Sequence, residues 1–367
     1  MKTATLGHIC HLRYGKGLPE ALRSPGEFAV YGSNGHVGVH STPLTSGPTI
    51  IVGRKGSVGQ VQFSAKGCWP IDTTYFVDAS CTDQDLRWLY YTLKALDLAR
   101  LNKATGVPGL NRNDVYERPV VVPPLEHQRH IAKILDQADR ILDGRQTALT
   151  LADNLSRSVF RNLIGSPLQN EKGWHADNLG NHLSFVTSGS RGWAEFYREA
   201  GPRFVRSFDV QMNNLRFLDP IFVNPPDNAE RSRTRVRNGD VLLTITGSKI
   251  GRVSAVGSDL GEAYVSQHVA ILRPKPSLNP VYLSWYLSDE AGGQMQIKKL
   301  QYGQTKPGLN LQQIKKFRVL VPPLDVQAIV VRALGATESI RTILTSQAEE
   351  SRRLLAALSN EAFRGEL

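Results

Sequence analysis

The stretch Pro108–Gln128, "PGLNRNDVYERPVVVPPLEHQ", returns as Pro307–Gln327, "PGLNLQQIKKFRVLVPPLDVQ", 199 positions later and without a gap. The two agree at Pro-Gly-Leu-Asn, at Val-Pro-Pro-Leu and at the closing Gln. A chain that repeats so particular a phrase builds the same supersecondary unit twice. Other correspondences extend the repeat: Leu89–Leu93 with Leu283–Leu287 at an offset of 194, "GSVGQV" (Gly56–Val61) with "SKIGRV" (Ser248–Val253) at 192, and Leu6-Gly7 with Leu179-Gly180 at 173. The halves are therefore homologous, and the second carries roughly 26 more residues, mostly between Trp193 and Asp240. Repeats this long are domains; solenoid units are several times shorter.

Composition agrees with two domains. The 367 residues are 41% hydrophobic and 21% charged, enough to bury two ordinary cores. The longest apolar runs, such as Thr49–Val52 and Pro119–Pro123, are far too short to span a bilayer, and "MKTATLGHICHLR" lacks the apolar core of a signal peptide. A cytoplasmic protein without a membrane partner is expected. Cys10, Cys68 and Cys81 are odd in number and lack metal-ligand spacing, so free buried thiols are expected. The histidine pairs His8/His11, His36/His40 and His127/His130 have no cysteine or acidic partner at ligand spacing. No metal and no cofactor are expected. The net charge of +11 favours a polyanionic partner, because neutralising phosphates releases condensed counterions.

Each half reads as β-rich and then helical. "TIIVGRKGSVGQVQFS" and "DVLLTITGSKIGRVSAV" are strand pairs broken by Gly-rich turns, and "DTTYFVDA" and "HVAILRP" are further strands. A helix follows, opened by a capping box of Thr82 and Asp85 in the first half and by Asn279-Pro280 in the second. Pro-Gly-Leu-Asn reads as a structural turn. After Pro-Pro a long helix begins, Leu125 to about Leu163 and Leu324 to about Phe363. One narrow apolar stripe runs along each: Ile131, Ile134/Leu135, Ala138, Ile141/Leu142, Leu149, Leu155 and Val159, then Val330, Ala333/Leu334, Ile340, Ile343/Leu344, Leu354/Leu355, Leu358 and Ala362. Forty residues span about 60 Å at 1.5 Å each, so the two helices are expected to pack on one another as a coiled coil.

These features resemble the specificity subunit of type I restriction-modification systems. The phrases carrying the likeness are "FAVYGSNGHVGVHS" (Phe28–Ser41), "IIVGRKGSVGQV" (Ile50–Val61), "PIDTTYFV" (Pro70–Val77) and "ATGVPGLNRNDV" (Ala104–Val115) in the first half. In the second they are "SRGWAEFYREAGPRFVRS", "GDVLLTITGSKIGRV" and "EAYVSQHVAILRP". The resemblance covers almost the whole chain. It implies an α+β fold in which two homologous β-rich target-recognition domains are separated by two long helices packed as an antiparallel coiled coil, with a pseudo-twofold internal repeat. The expected boundaries are 1–122 and 166–321 for the two domains, with spacer helices at 123–165 and 322–367. It also implies a non-catalytic reader of double-stranded DNA, each domain taking one half of a bipartite asymmetric site in the major groove. Two methyltransferase subunits would dock on the helices, and restriction/translocase subunits would attach through that methyltransferase core.

Gly-rich turns let backbone approach a phosphate or groove, and neighbouring basic or amide side chains can contact phosphates or base edges. The candidate DNA-contacting residues are Arg54, Lys55 and Ser57 in the first turn and Ser248, Lys249 and Arg252 in its counterpart. Lys103 and Thr105, then Gln304, Thr305 and Lys306, join them from the loops before Pro-Gly-Leu-Asn. Arg191, Trp193, Tyr197 and Arg198 lie in the segment that differs most between halves, and Gln267 precedes a strand. Asn224–Asp227, "NPPD", resembles an amino-methyltransferase motif but has Asp227 where that motif needs an aromatic ring to stack on an extruded base. No Gly-x4-Gly-Lys-Ser/Thr phosphate loop is present. The alternatives left by the sequence are a specificity subunit of a related multi-subunit modification or defence system, and a coiled-coil scaffold that binds protein.

Overall fold

The computed structural model describes residues 2–102, 109–301 and 308–364. The candidate residues Lys103, Thr105, Gln304, Thr305 and Lys306 lie outside the described residues. Two compact units emerge, one of residues 1–148 with 344–367 and one of residues 149–343.

In the first unit a four-stranded antiparallel sheet runs Arg13–Tyr14, Thr74–Val77, Thr49–Gly53, Val61–Ser64. Its two inner strands are apolar along their length because both faces are covered: Ile50, Ile51, Val52, Tyr75, Phe76 and Val77 are buried. A three-stranded sheet sets Gly35–His40 antiparallel and Trp69–Pro70 parallel to Phe28–Gly32, and a two-stranded ladder pairs Lys2–Thr5 with Pro119–Val122. The second unit repeats the plan with Leu183–Ser188, Val269–Pro274, Val241–Thr244 and Val253–Ala255 in its four-stranded sheet. Its three-stranded sheet joins Phe222–Val223, Tyr197–Val205 and Ala263–Val265, again with one parallel pair, and Ala176–Asn178 pairs with Arg318–Leu320. The extra residues of this half include a hairpin, Val210–Gln211 with Asn214–Leu215, and a short helix, Ala229–Thr234.

The repeated phrase has a physical job. Pro-Pro starts each long helix, Leu125–Ile164 and Leu324–Arg364, and the Gln that follows is sealed inside. Gln128, 1% exposed, accepts from the Asp85 N–H at 2.9 Å and donates to the Pro123 carbonyl at 2.9 Å and to Gln84 Oε1 at 2.7 Å. Gln327, 0% exposed, accepts from the Asn279 N–H at 2.7 Å and donates to the carbonyls of Pro322 at 2.8 Å and Ser277 at 3.1 Å. Asp85 and Asn279 are the N-caps of the helices Leu86–Ala95 and Pro280–Ser288. Each Gln thus locks the domain's packing helix to the start of the long helix through one amide group. In Pro-Gly-Leu-Asn, the Asn is also an N-cap: Asn111 accepts from Asn113 N–H, and Asn310 forms a reciprocal capping box with Gln313.

Two sequence expectations need correction. Asp85 alone caps the helix Leu86–Ala95, accepting from the Arg87 and Trp88 N–H groups, while Thr82 donates to the Ile9 carbonyl. The apolar stripe holds only in part: Ile131, Leu135, Ala138, Val330, Leu334 and Ala362 are buried, but Ile141, Leu155, Ile340, Ile343 and Leu354 are exposed, and the buried positions also include Ala152, Ser156, Phe160, Thr337, Ala348 and Ser351. Small residues let the helices approach closely, and polar ones bond across. Within the first unit Arg145 donates to the Gln347 carbonyl and Ser351 Oγ, while Ile131 and Leu135 share a core with Leu358 and Ala362. Within the second, Ser156 Oγ donates to Thr337 Oγ1 at 2.8 Å, and Phe160 and Ile164 share a core with Val330 and Leu334. In each unit the numbering of one helix rises as that of the other falls, so the pairing is antiparallel. Cys10, Cys68 and Cys81 are free and buried, and burial pushes the Cys10 thiol up to about 12. Among the described residues no helix is long and apolar enough to cross a membrane.

Candidate nucleic-acid interface

In the first unit the turn Gly53–Gln60 joins the central strand to its edge partner, closed by Gly53 N–H to Gln60 O and Gly59 N–H to Gly53 O, both 2.8 Å. Gly59 has φ +77°, and a Cβ there would meet Ala99 N at 2.3 Å, so the turn packs where only glycine fits. Gly109 and Leu110 of the repeated phrase dock on this turn: Leu110 N–H donates to Arg54 O at 2.8 Å, and Gly109 bridges Lys55. Tyr75 supports it from below, its hydroxyl donating to Leu110 O at 3.0 Å; burial pushes that phenol up to about 12.

Arg54 is half-buried, with Nη2 donating to the Asp72 carbonyl at 2.8 Å and its guanidinium 5.3 Å from the Tyr14 ring and 5.9 Å from Tyr75. Lys55 is exposed, and Ser57 Oγ donates to Asn34 Oδ1 at 3.3 Å. Three neighbours were not singled out in the sequence. Tyr14 is 53% exposed between Arg54 and Arg112, the latter 5.3 Å from its ring, and Asn34 is an exposed residue of a hairpin tip. Arg112 was findable, since it follows a segment that already pointed to the turn. Tyr14 comes from a remote strand and Asn34 from a remote hairpin turn, so neither is tied to the turn by its place in the sequence.

The second unit uses the same scaffold with different chemistry. Its turn is closed by Thr244 N–H to Arg252 O at 2.8 Å and Gly251 N–H to Thr244 O at 2.9 Å. Leu309 N–H donates to Ile245 O at 2.9 Å and Gly308 bridges Thr246, so Ile245 and Thr246 stand where the first half has Arg54 and Lys55. Likewise Arg54 N–H donates to Thr73 O and Ile245 N–H to His268 O, both 2.9 Å, so Gln267 occupies the place of Asp72. The second turn is one residue longer. Ser248 is exposed; Lys249 and Arg252 are half-buried. Arg191 and Gln267, 76 positions apart, are brought together, Arg191 Nε donating to Gln267 Oε1 at 3.0 Å, with Gln267 Nε2 3.2 Å from His268 Nε2.

The remaining candidates fare unequally. Tyr197 is 37% exposed, and Arg198 is exposed but turned back to donate to the carbonyls of Tyr197 at 2.7 Å and Glu195 at 3.2 Å. Trp193 is a correction: it is 3% exposed, stacked on Phe204 at 5.2 Å and packed on Tyr264, so it belongs to the core and presents no face to a ligand. It stood out in the sequence because its segment differs most between the halves. The "NPPD" segment follows the edge strand Phe222–Val223 and is anchored by Asn224 N–H to Phe196 O at 2.9 Å.

Two homologous β-rich modules with glycine-shaped turns, each locked to a long helix and carrying different side chains at equivalent positions, define a twin-domain recognition protein. The comparisons name the class. The family model for the type I restriction modification DNA specificity domain matches residues 1–151 and 221–351, and the chain belongs to that family. A type I restriction enzyme MjaVIII specificity subunit from Methanocaldococcus jannaschii is 20% identical over 76% of this chain and 70% of its own length. The EcoprrI specificity subunit from Escherichia coli is 26% identical over 44% of this chain and 40% of its own. In structure, the S subunit of a type I restriction-modification system from M. genitalium superimposes with TM-score 0.66 at 16% identity, over 99% of this chain and 96% of that one. A chain from a study of complex assembly and conformational transition of the type I R-M system gives TM-score 0.55 at 17% identity, over 100% and 98%. These likenesses establish the shared fold.

Proposed function

We propose that this chain is the non-catalytic DNA-reading subunit of a type I restriction-modification complex, each β-rich domain reading one half of a bipartite asymmetric site in the major groove. The observation that carries this reading is that one turn scaffold presents Arg54, Lys55 and the Asp72 loop in the first domain but Thr246 and Gln267 in the second, where the buried Ile245 stands in place of Arg54. Identical placement with different chemistry suits two readers of different half-sites. Exposed Lys55 supplies phosphate contact, whereas Gln267, oriented by Arg191, offers amide groups of the kind that pair with an adenine edge. Arg54, Ser57, Ser248, Lys249, Arg252, Tyr197 and Arg198 complete the proposed contact set. The proposed division is 1–122 and 166–321 for the readers and 123–165 and 322–367 for the helices that set the gap.

Two methyltransferase subunits dock on those helices, one per pseudo-equivalent face, and restriction subunits attach through them. The exposed Ile141, Leu151, Leu155, Ile340, Ile343 and Leu354 supply apolar surface that isolated helices have no reason to keep. The test is binding of a duplex carrying the recognised site to the methyltransferase-bound chain at several salt concentrations. Lys55→Ala should weaken binding to all sequences alike and reduce the salt slope by about 1, whereas Gln267→Ala should relax preference at one base pair. Binding that ignores salt would overturn the DNA reading and favour a protein-binding scaffold.

A further inference from the structure

Away from both turns, His175, Asp177 and His182 each offer one ligand atom, and all three atoms lie within 4.8 Å of one another. The backbone explains the convergence. The His175 carbonyl accepts the Val321 N–H at 2.7 Å and thereby extends the ladder of Ala176–Asn178, so strand alternation puts His175 and Asp177 on one face. His182 ends the 3₁₀ turn Leu179–His182, which folds its ring back until Nε2 stands 3.2 Å from Asp177 Oδ2. That separation is close to the ~3.3 Å edge of a tetrahedron with metal–ligand bonds of about 2.0–2.1 Å. His175 is the exposed member of the three.

Outer partners hold the ligands in place. Asn178 N–H donates to Asp177 Oδ1 at 2.7 Å, and the Asn181 amide donates to Oδ1 at 2.9 Å and Oδ2 at 3.1 Å. His182 Nδ1 lies 3.4 Å from Ser277 Oγ, which leaves Nε2 as the ligand atom when Nδ1 carries the proton. Without metal, a proton on Nε2 lets His182 donate to Asp177 Oδ2 across the same 3.2 Å, so a bound cation would take the place of that proton.

We propose that His175, Asp177 and His182 bind a first-row divalent transition metal, with zinc the best match, leaving a fourth position for water. Two imidazoles and one carboxylate suit such an ion, while magnesium and calcium demand mostly oxygen. The site is private to the second domain: the equivalent positions in the first, at the offset of 173, are Lys2, Ala4 and Ile9. Bound metal would brace the first strand of the second domain against its 3₁₀ turn. The sequence hid the set because its spacing, His-x-Asp-x4-His, crosses a strand and a turn.

The experiment is titration of the full-length, tag-free chain with Co²⁺, followed by its visible absorption, and with Zn²⁺, followed by calorimetry and the thermal midpoint. One equivalent is expected to bind, with a midpoint rise that Mg²⁺ does not reproduce. His175→Ala alters an exposed side chain, so the fold is kept while affinity falls at least tenfold; Asn181→Ala, which touches no metal, should weaken binding by ~10–100-fold. Absence of saturable one-to-one binding, or equal binding by the His175→Ala/His182→Ala double variant, overturns the proposal.

Discussion

Gln128→Leu tests the claim that the repeated phrase is a lock between domain and helix. The substitution keeps volume roughly constant but removes both amide functions, orphaning the Asp85 N–H and the Pro123 carbonyl; Gln84 can return to solvent. An unsatisfied buried backbone group costs about 1–3 kcal/mol, so two cost about 2–6, partly offset by the extra apolar burial of leucine. A net loss of ~3 kcal/mol lowers the midpoint by roughly 6–12 °C for a unit of this size. Gln327→Leu should be at least as damaging, because three backbone groups, Asn279 N–H, Pro322 O and Ser277 O, lose their partner. Gln128→Glu adds a pH signature. Its carboxylate would face the Pro123 carbonyl and Gln84 Oε1, which favours the protonated acid and raises its folded-state pKa. The variant should therefore be closest to wild type below about pH 4.3 and lose stability as pH rises above it. Thermal melts by circular dichroism, with urea titrations for free energies, measure all three. A Gln128→Leu midpoint within about 1 °C of wild type would refute the lock.

Other outcomes follow from single contacts. Arg273→Ala strips the bidentate partner, at 2.7 and 2.8 Å, from Asp240, which is 0% exposed; the loss should be ~3–5 kcal/mol, and Asp240→Leu/Arg273→Met together should cost much less. Urea denaturation compares them. Gly59→Ala forces a left-handed φ of +77° on a side chain that also meets Ala99 N at 2.3 Å, so a loss of at least ~1–2 kcal/mol is expected, with weakened reading of the first half-site and an unchanged second.

Much of this architecture was legible because repetition made each half a check on the other. The strand pairs around both Gly-rich turns, the Asn279 cap and the starts of both long helices at Leu125 and Leu324 appear where alternation, capping and Pro-Pro place them. The inward face of the long helices was legible only in part, at Ile131, Leu135, Ala138, Val330, Leu334 and Ala362. Periodicity follows large apolar residues, while the pairing buries Ala152, Ser156, Ala348 and Ser351 and leaves Leu155 and Leu354 outside. At the candidate interface, basic residues in turns were visible, but pairings such as Arg191 with Gln267, or Tyr14 between Arg54 and Arg112, arise from strand register over long separations. Trp193 shows the converse: a residue in a divergent, polar segment whose ring completes a small core with Phe204, Val223 and Tyr264.

The most direct test of the central claim is to co-express this chain with its methyltransferase subunit and map methylated bases on host DNA by single-molecule sequencing. The account predicts a split motif with a fixed gap, one half changing when residues 1–120 are exchanged for those of another specificity chain and the other half when residues 174–318 are exchanged. A continuous motif, or an exchange of one domain that alters both halves together, would contradict it.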